Sequence, residues 1–278
     1  MNLRAVLRVA LYCLLGGIAF MLPALGAGHA PWWWLSGVLV SAAFLPAALY
    51  GPRTALGQFC VIFPVLFLVS VITIWSEALI FLRSPIIRQH AMSNIIYDTI
   101  GHLIAAIVLV VLWKLLKLTR ESGTPTLRPP LMKAIGLIVV CAFVYVACYL
   151  VFGGITYQLF TKKYYPDVAS IVGPLGFWFW VIQFSRGLLI TLAVVPAIYT
   201  LRLPRWQAAI CVGLLLWIAG GLAPLIVPNV LISAPERFIH VIEILTQNFT
   251  LGVVAGLLLR PKREAPLLAA SPARPSWT

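Results

Sequence analysis

FWFWVIQFSRGLLITLAVVPAIYTLR, residues 177–202, decides the fold. It opens on four aromatic and apolar-rich positions, runs to Tyr199 with Arg186 as its single charged side chain, and closes on Arg202. An uninterrupted apolar run of about 20 residues crosses the hydrocarbon core of a bilayer as a helix. Aromatic rings at one end and a guanidinium at the other match the two membrane interfaces. A charged residue inside such a run is costly and marks a site.

Seven further stretches read the same way. With this one they predict spans at 5–24, 32–50, 58–81, 96–116, 131–152, 175–200, 207–227 and 238–259. The whole chain agrees: of 278 residues, 62% are apolar and 10% charged, with mean hydropathy +1.02. Soluble domains carry about 25% charged residues, which excludes that class. The expected fold is all-α, a polytopic membrane protein with eight transmembrane helices.

Twenty Lys and Arg against seven Asp and Glu give a net charge of +13. On a soluble domain this would suggest nucleic acid. Here the basic residues are spread over the connections and form no stripe, so nucleic acid is not an expected partner. With the N-terminus inside, fourteen of them, from Arg4 and Arg8 to Arg260 and Arg274, fall on the cytoplasmic side. Five fall outside (Arg83, Arg88, Lys162, Lys163 and Arg237), and Arg186 lies within a span. That bias predicts both termini in the cytoplasm. Trp32, Trp33, Trp34, Trp75 and the 177–180 cluster then form the outer aromatic belt. Residues 1–30 also carry the features of a cleavable signal peptide, although Pro31 follows the best cut directly. Cleavage would leave the later topology unchanged.

Span two, 32–53, resembles span six: each has an outer aromatic cluster, a Pro in the inner half (Pro46, Pro196), a Tyr (Tyr50, Tyr199) and an inner Arg. The expected organisation is a first membrane half at 1–117, a cytoplasmic linker at 118–132, a second half at 133–260 and a short cytoplasmic tail at 261–278. Four spans per half predict parallel repeats about an axis along the membrane normal. Cys13, Cys60, Cys141, Cys148 and Cys211 all fall in spans and read as small core residues.

Polar residues gather in the outer halves of four spans. Ser70, Thr73 and Glu77 share one expected helix face, as do Asn94, Asp98 and His102. Gln183 and Arg186 share a third. Arg237, His240, Glu243, Gln247 and Asn248 mark the last. The pattern predicts a polar pocket open outward and closed towards the cytoplasm. Arg186 with Glu243 is the preferred buried ion pair, with Glu77 and Asp98 as alternatives. Asp98, His102, His240 and Glu243 are candidate metal ligands, and His102 with His240 can equally bracket a haem. His240 and Glu243 are the candidate acid and base of an enzyme. No nucleophile triad, zinc-protease or phosphate-loop signature occurs. The segment 153–174 reads as the longest outer loop, begun by Gly153-Gly154, with Lys162, Lys163, Tyr164 and Tyr165 able to gather an anion or anchor at the interface.

From Gly173 onward the chain resembles an uncharacterised family of bacterial eight-span membrane proteins. The likeness rests on Gln183, Arg186, Gly187, Pro228-Asn229, the Arg237, His240, Glu243 set, Asn248-Phe249 and Gly252. It implies the bacterial cytoplasmic (inner) membrane and carries no activity with it. A fainter likeness to membrane-associated sensor domains of bacterial kinases and cyclases rests on Trp34, Ser36, Gly37, Gly51, Arg53, Gly187 and Pro196, with a departure in the Gly37 to Gly51 spacing. Such a sensor would signal through a separate partner or as a homodimer, since the tail is too short for an output domain.

The functional expectation is a receptor or sensor-like module that binds a small anionic ligand or a lipid head group. Arg186 and Arg237 hold the anion, while Gln183, His240, Glu243, Asp98, His102, Glu77 and Asn248 set its orientation. A redox protein or enzyme acting on a lipid-linked or quinone-like substrate, and a secondary transporter, are the alternatives.

Overall fold

A computed structural model describes residues 3–81, 85–120, 127–164, 167–229 and 232–261. Among these, every regular element is helical, and eight helices are long and apolar enough to cross a membrane: α1 (Leu3–Gly26), α2 (Ala30–Tyr50), α3 (Ala55–Phe81), α4 (Arg88–Leu115), α5 (Leu131–Thr161), α6 (Phe177–Thr200), α7 (Arg205–Ile226) and α8 (Ala234–Leu258). The chain is an all-α, multi-pass membrane protein. All eight coincide with the spans expected from hydropathy. The tail from residue 262 and the linker core at 121–126 lie outside the described residues.

The centre of the bundle is built by α2, α3, α6 and α7, while α1, α4 and α5 bury least. Outward-facing Ile, Leu, Val and Phe side chains such as Ile104, Ile107, Val140 and Phe143 stay exposed, as lipid-facing positions do. Lipid tails are as apolar as leucine, so helices associate through close packing and small residues. At the α7–α8 crossing a Cβ on Gly252 would lie 2.6 Å from Gly213 Cα, and one on Gly256 would lie 2.6 Å from Ala209 Cα. Two small-xxx-small pairs therefore face each other, and the backbones touch.

The two halves repeat in their buried register. Ser36, Gly37, Val40, Ser41, Ala43, Phe44, Ala47 and Ala48 are the buried residues of α2, and each lies 150 positions before a buried residue of α6. The same offset relates Ile62, Val65, Leu66 and Val69 of α3 to Val212, Leu215, Leu216 and Ala219 of α7. At other constant offsets, Gly16, Gly17 and Phe20 of α1 match Cys141, Ala142 and Tyr145 of α5. Ala105, Ala106, Leu109 and Val110 of α4 likewise match Leu251, Gly252, Ala255 and Gly256 of α8. Even the local bonds repeat: Ser41 Oγ donates to Gly37 O at 2.7 Å and Thr191 Oγ1 to Gly187 O at 2.8 Å.

Packing partners repeat too. Helix α1 lies on α2 and α4, and α3 on α4; α5 lies on α6 and α8, and α7 on α8. Between halves, α3 packs on α6 as α7 packs on α2. A two-fold relation between the halves accounts for this set of neighbours.

One end of the bundle is sealed by arginines. Arg202 donates from Nη2 to Gly51 O and Arg120 O, each at 3.1 Å, while its backbone N–H reaches Tyr50 O at 2.8 Å. Arg260 Nη2 reaches Leu203 O at 2.8 Å and Arg205 Nε reaches Leu257 O at 3.1 Å. Cationic side chains satisfy the free carbonyls at helix C-termini, here also tying the two halves and the start of the linker together.

Two expectations are corrected. Gly153-Gly154 does not end the fifth span: α5 stays helical to Thr161 through two widened π turns, Tyr149–Gly153 and Tyr157–Thr161. A π turn keeps the backbone bonded at the cost of one extra residue per turn, so the glycines sit inside the helix. Tyr165 lies outside the described residues; Lys162 and Lys163 are exposed, with Lys163 Nζ 4.9 Å from the Tyr164 ring centre. Second, Ser70, Thr73 and Glu77 do not share a face. The π stretch Val65–Thr73 rotates the register, so Ser70 Oγ donates to Ala219 O of α7 at 2.9 Å, Thr73 bonds back to Val69 O, and Glu77 meets α6.

Candidate polar site in the aromatic half of the bundle

Arg186 lies nine residues into α6, about 14 Å from its aromatic end by helical rise. The side chain is 8% exposed and ion-paired: Nη2 donates to Glu77 Oε2, and Nη1 donates to Gln183 Oε1 at 2.8 Å. Its guanidinium carbon stands 5.7 Å from the centre of the Tyr145 ring. The pair is thus Arg186–Glu77, not Arg186–Glu243. Helix α6 packs between α3 and α5, so the face bearing Gln183 and Arg186 looks at the end of α3.

Glu243 instead closes a group of its own helix. Its Oε2 lies 2.9 Å from His240 Nδ1, and its Oε1 accepts from Gln247 Nε2 at 3.1 Å. The group fits beside Gly153, where a Cβ would stand 3.2 Å from Glu243 Oε1 and 3.4 Å from Gln247 Nε2. Helix α5 passes both groups: Tyr145 stands against Arg186, the Tyr149 ring follows 6.3 Å on, and Gly153 lies beside Glu243 and Gln247. Tyr145, Tyr149 and Gly153 were not singled out as site residues by the sequence reading. Their spacing at i, i+4 and i+8 on α5 is the signal that marks them, masked there by reading the helix as ending at Gly153.

Asn248 is 6% exposed and donates to Leu216 O at 3.4 Å, its amide fitting where Gly220 lacks a side chain. It joins α8 to α7 rather than lining the ion pair. Arg237 is half-buried, and its guanidinium has no hydrogen-bond partner among the described residues.

Asp98 and His102 form a separate group on α4. Asp98 Oδ2 accepts from Trp75 Nε1 at 2.7 Å. His102 Nδ1 stands 2.7 Å from the Asp98 backbone oxygen, with its ring edge-on to Phe20 at 5.8 Å. The repeat register matches His102 to Asn248 and Tyr97 to Glu243, so the two acid–imidazole pairs are not related across the two-fold axis. Among the described residues no group of three or more His, Cys, Asp and Glu stands close enough to hold a metal ion. The four candidate ligands Asp98, His102, His240 and Glu243 are therefore not gathered into one cluster.

Two buried donors of the ion-pair group have no partner among the described residues: Arg186 Nε and Gln183 Nε2. Leaving a buried donor unbonded costs about 1–3 kcal/mol each. Tyr12 Oη and Gln58 Oε1 are also unpartnered, but the donors at 183 and 186 belong to one hydrogen-bonded unit.

The other half of the repeat shows what the fold requires at these places. Ser36 occupies the position of Arg186, Trp33 that of Gln183 and Phe20 that of Tyr145. The close packing is the same on both sides: a Cβ at Gly37 would stand 2.7 Å from Phe20 Cβ, and one at Gly187 2.8 Å from Tyr145 Cβ. The same close packing is thus reached with Ser36 in one half and with the ion-paired Arg186 in the other. No known protein family, curated protein or solved structure matches the chain.

Proposed function

We propose that the protein is a receptor or sensor-like module of the bacterial cytoplasmic membrane, both termini inside, that holds a small anionic ligand or a lipid head group at Arg186 and Gln183. The observation that carries this reading is the pair of enclosed, unpartnered donors on Arg186 and Gln183. An oxyanion that accepts from either one removes that donor's cost. The repeat supports it, because the equivalent Ser36 and Trp33 positions pack the same way without a charge. Signalling would pass through a separate partner or a second copy of the chain.

The sealed arginine end favours a receptor over a secondary transporter. A transporter needs a polar route through both halves of its spans, and the arginine-side halves are lined by residues such as Ala47, Ala48, Ala197 and Ile198. The bond between His240 and Glu243 favours an enzyme as the second reading, since a carboxylate that orients an imidazole is the arrangement of a general base. Turnover of a lipid-linked substrate that stops in His240→Ala would bring that reading forward.

Native mass spectrometry of the detergent-purified protein tests the main reading. The wild type is expected to retain one phosphodiester lipid per chain, and Gln183→Leu to lose it at least tenfold. Equal retention by the wild type and Gln183→Leu would remove the assignment.

A further inference from the structure

We infer that the ligand of this site is a zwitterion, an oxyanion with a primary ammonium a few ångströms away, as in a phosphoethanolamine head group. This rests on the acceptor-binding reading of Arg186 and Gln183 and specifies its chemistry.

The charge balance of the site argues against a simple anion. Glu77 already neutralises Arg186, and Glu243 adds a second carboxylate beside His240. Arg237, the other cation expected to bind an anion, makes no hydrogen bond to this group. A dianion entering here meets two carboxylates against one guanidinium and one imidazole. A ligand that brings its own cation does not.

What the ion pair leaves unused is bipolar. On the donor side are Arg186 Nε and Gln183 Nε2, both enclosed. On the acceptor side is Glu77: Arg186 bonds its Oε2, and its side chain is 37% exposed. An oxyanion fits the donors, and an ammonium fits Glu77.

A run of aromatic rings starts beside the ion pair, at Tyr145, 5.7 Å from the Arg186 guanidinium. Tyr145, Tyr149, Phe179 and Trp180 form a continuous chain, with successive ring centres 6.3, 6.0 and 5.0 Å apart. Ring faces attract ammonium groups, and several rings together form the cages that bind them. In the other half of the repeat Ser36 and Trp33 stand in place of Arg186 and Gln183, so the donor pair does not recur there.

The test is native mass spectrometry of the full-length protein equilibrated with equal phosphatidylethanolamine and phosphatidylglycerol, which share the phosphodiester and differ in the ammonium. The expected result is one bound phosphatidylethanolamine, preferred at least tenfold. Glu77→Gln should reduce that preference to about even. Tyr149→Leu, which leaves the ion pair intact, should weaken it severalfold and serves if Glu77→Gln does not insert. Soluble phosphoethanolamine that displaces the lipid, where glycerol phosphate does not, would support the same chemistry with the head group alone as ligand. Displacement by neither, with the lipid preference kept, would support it with the whole lipid as ligand. Equal retention of both lipids, lost in Gln183→Leu, overturns the zwitterion and keeps the oxyanion site. Retention that Gln183→Leu leaves unchanged overturns both.

Discussion

Arg186 of α6 spends its two terminal nitrogens on Glu77 of α3 and Gln183 of its own helix, leaving Nε with nothing to bond. Ionic contact between the two halves and unmet hydrogen-bonding capacity thus reside in one guanidinium. The pair is a structural tie and, on the proposed reading, a binding element, and substitutions can separate the roles.

Arg186→Leu alone leaves a half-exposed carboxylate facing an apolar side chain, and Glu77→Leu alone leaves an enclosed guanidinium unpaired. Removing one partner of a buried pair typically costs 3–5 kcal/mol. The exposure of Glu77 lowers the first loss to about 2 kcal/mol, whereas the second falls in the full range. The double replacement should recover most of the stability while binding stays lost. Thermal unfolding in detergent across the four proteins checks this, and additive losses would contradict the coupling.

Gly187→Ala and Gly37→Ala are matched probes of the two halves. Each new methyl would fall within 3 Å of its neighbour, Tyr145 or Phe20, and overpacking of this kind costs about 1–3 kcal/mol. Both variants should lose similar stability. Only Gly187→Ala should lower ligand retention, because Tyr145 stands under Arg186 and Phe20 does not. Equal effects on retention would place the site elsewhere.

Trp75→Phe removes the donor to Asp98 and should cost about 1–2 kcal/mol, near the range for a hydrogen bond to a charged group. Ligand retention should be unchanged, since Asp98 belongs to the α4 group and not to the ion pair. Retention falling with this variant would join the two groups into one site.

Gly256→Val places bulk where a Cβ is already 2.6 Å from Ala209 Cα. Backbone at such a crossing yields little, so α7 and α8 should separate and the variant should fail to accumulate folded. Ala255, buried on the same helix, is expected to tolerate Ala255→Ser with little loss. Yield and size-exclusion profile of the two variants decide between a helix contact and a general sensitivity of α8.

Orientation is open to a direct check. In a variant lacking the five native cysteines, Lys162→Cys should react with a membrane-impermeant maleimide added to intact cells. Lys133→Cys should react only after lysis. The reverse pattern would invert the topology and put the ion-pair site on the cytoplasmic side.

The eight spans were legible because lipid sorts residues by a rule that needs no tertiary information: a helix of sufficient length and hydropathy partitions into hydrocarbon. The repeat was also visible, through Pro46 and Pro196, yet its register emerged only from burial. Buried and lipid-facing positions use the same apolar residues, so Val40 and Ile190 look no different in sequence from the exposed Ile104. Partner choice is the part that hydropathy leaves open: Glu77, Asp98 and Glu243 all fall in the same half of the bundle as Arg186, and an ideal helix puts Ser70, Thr73 and Glu77 on one face where the π turns do not.

By itself, then, the sequence determined that the chain is a helical membrane protein of eight spans and that Gln183, Arg186, Glu77, His240 and Glu243 are among the polar residues set within those spans. Only the tertiary structure decided that Arg186 meets Glu77, that Glu243 turns to His240 and Gln247, and that Asp98 belongs elsewhere. The physical reason is helix rotation. The π turns in α3, α5, α7 and α8 each add a residue to the turn and swing everything beyond them about the axis. That rotation is set by packing against neighbouring helices, such as Asn248 in the gap at Gly220, and hydropathy, which sees one helix at a time, carries no record of it.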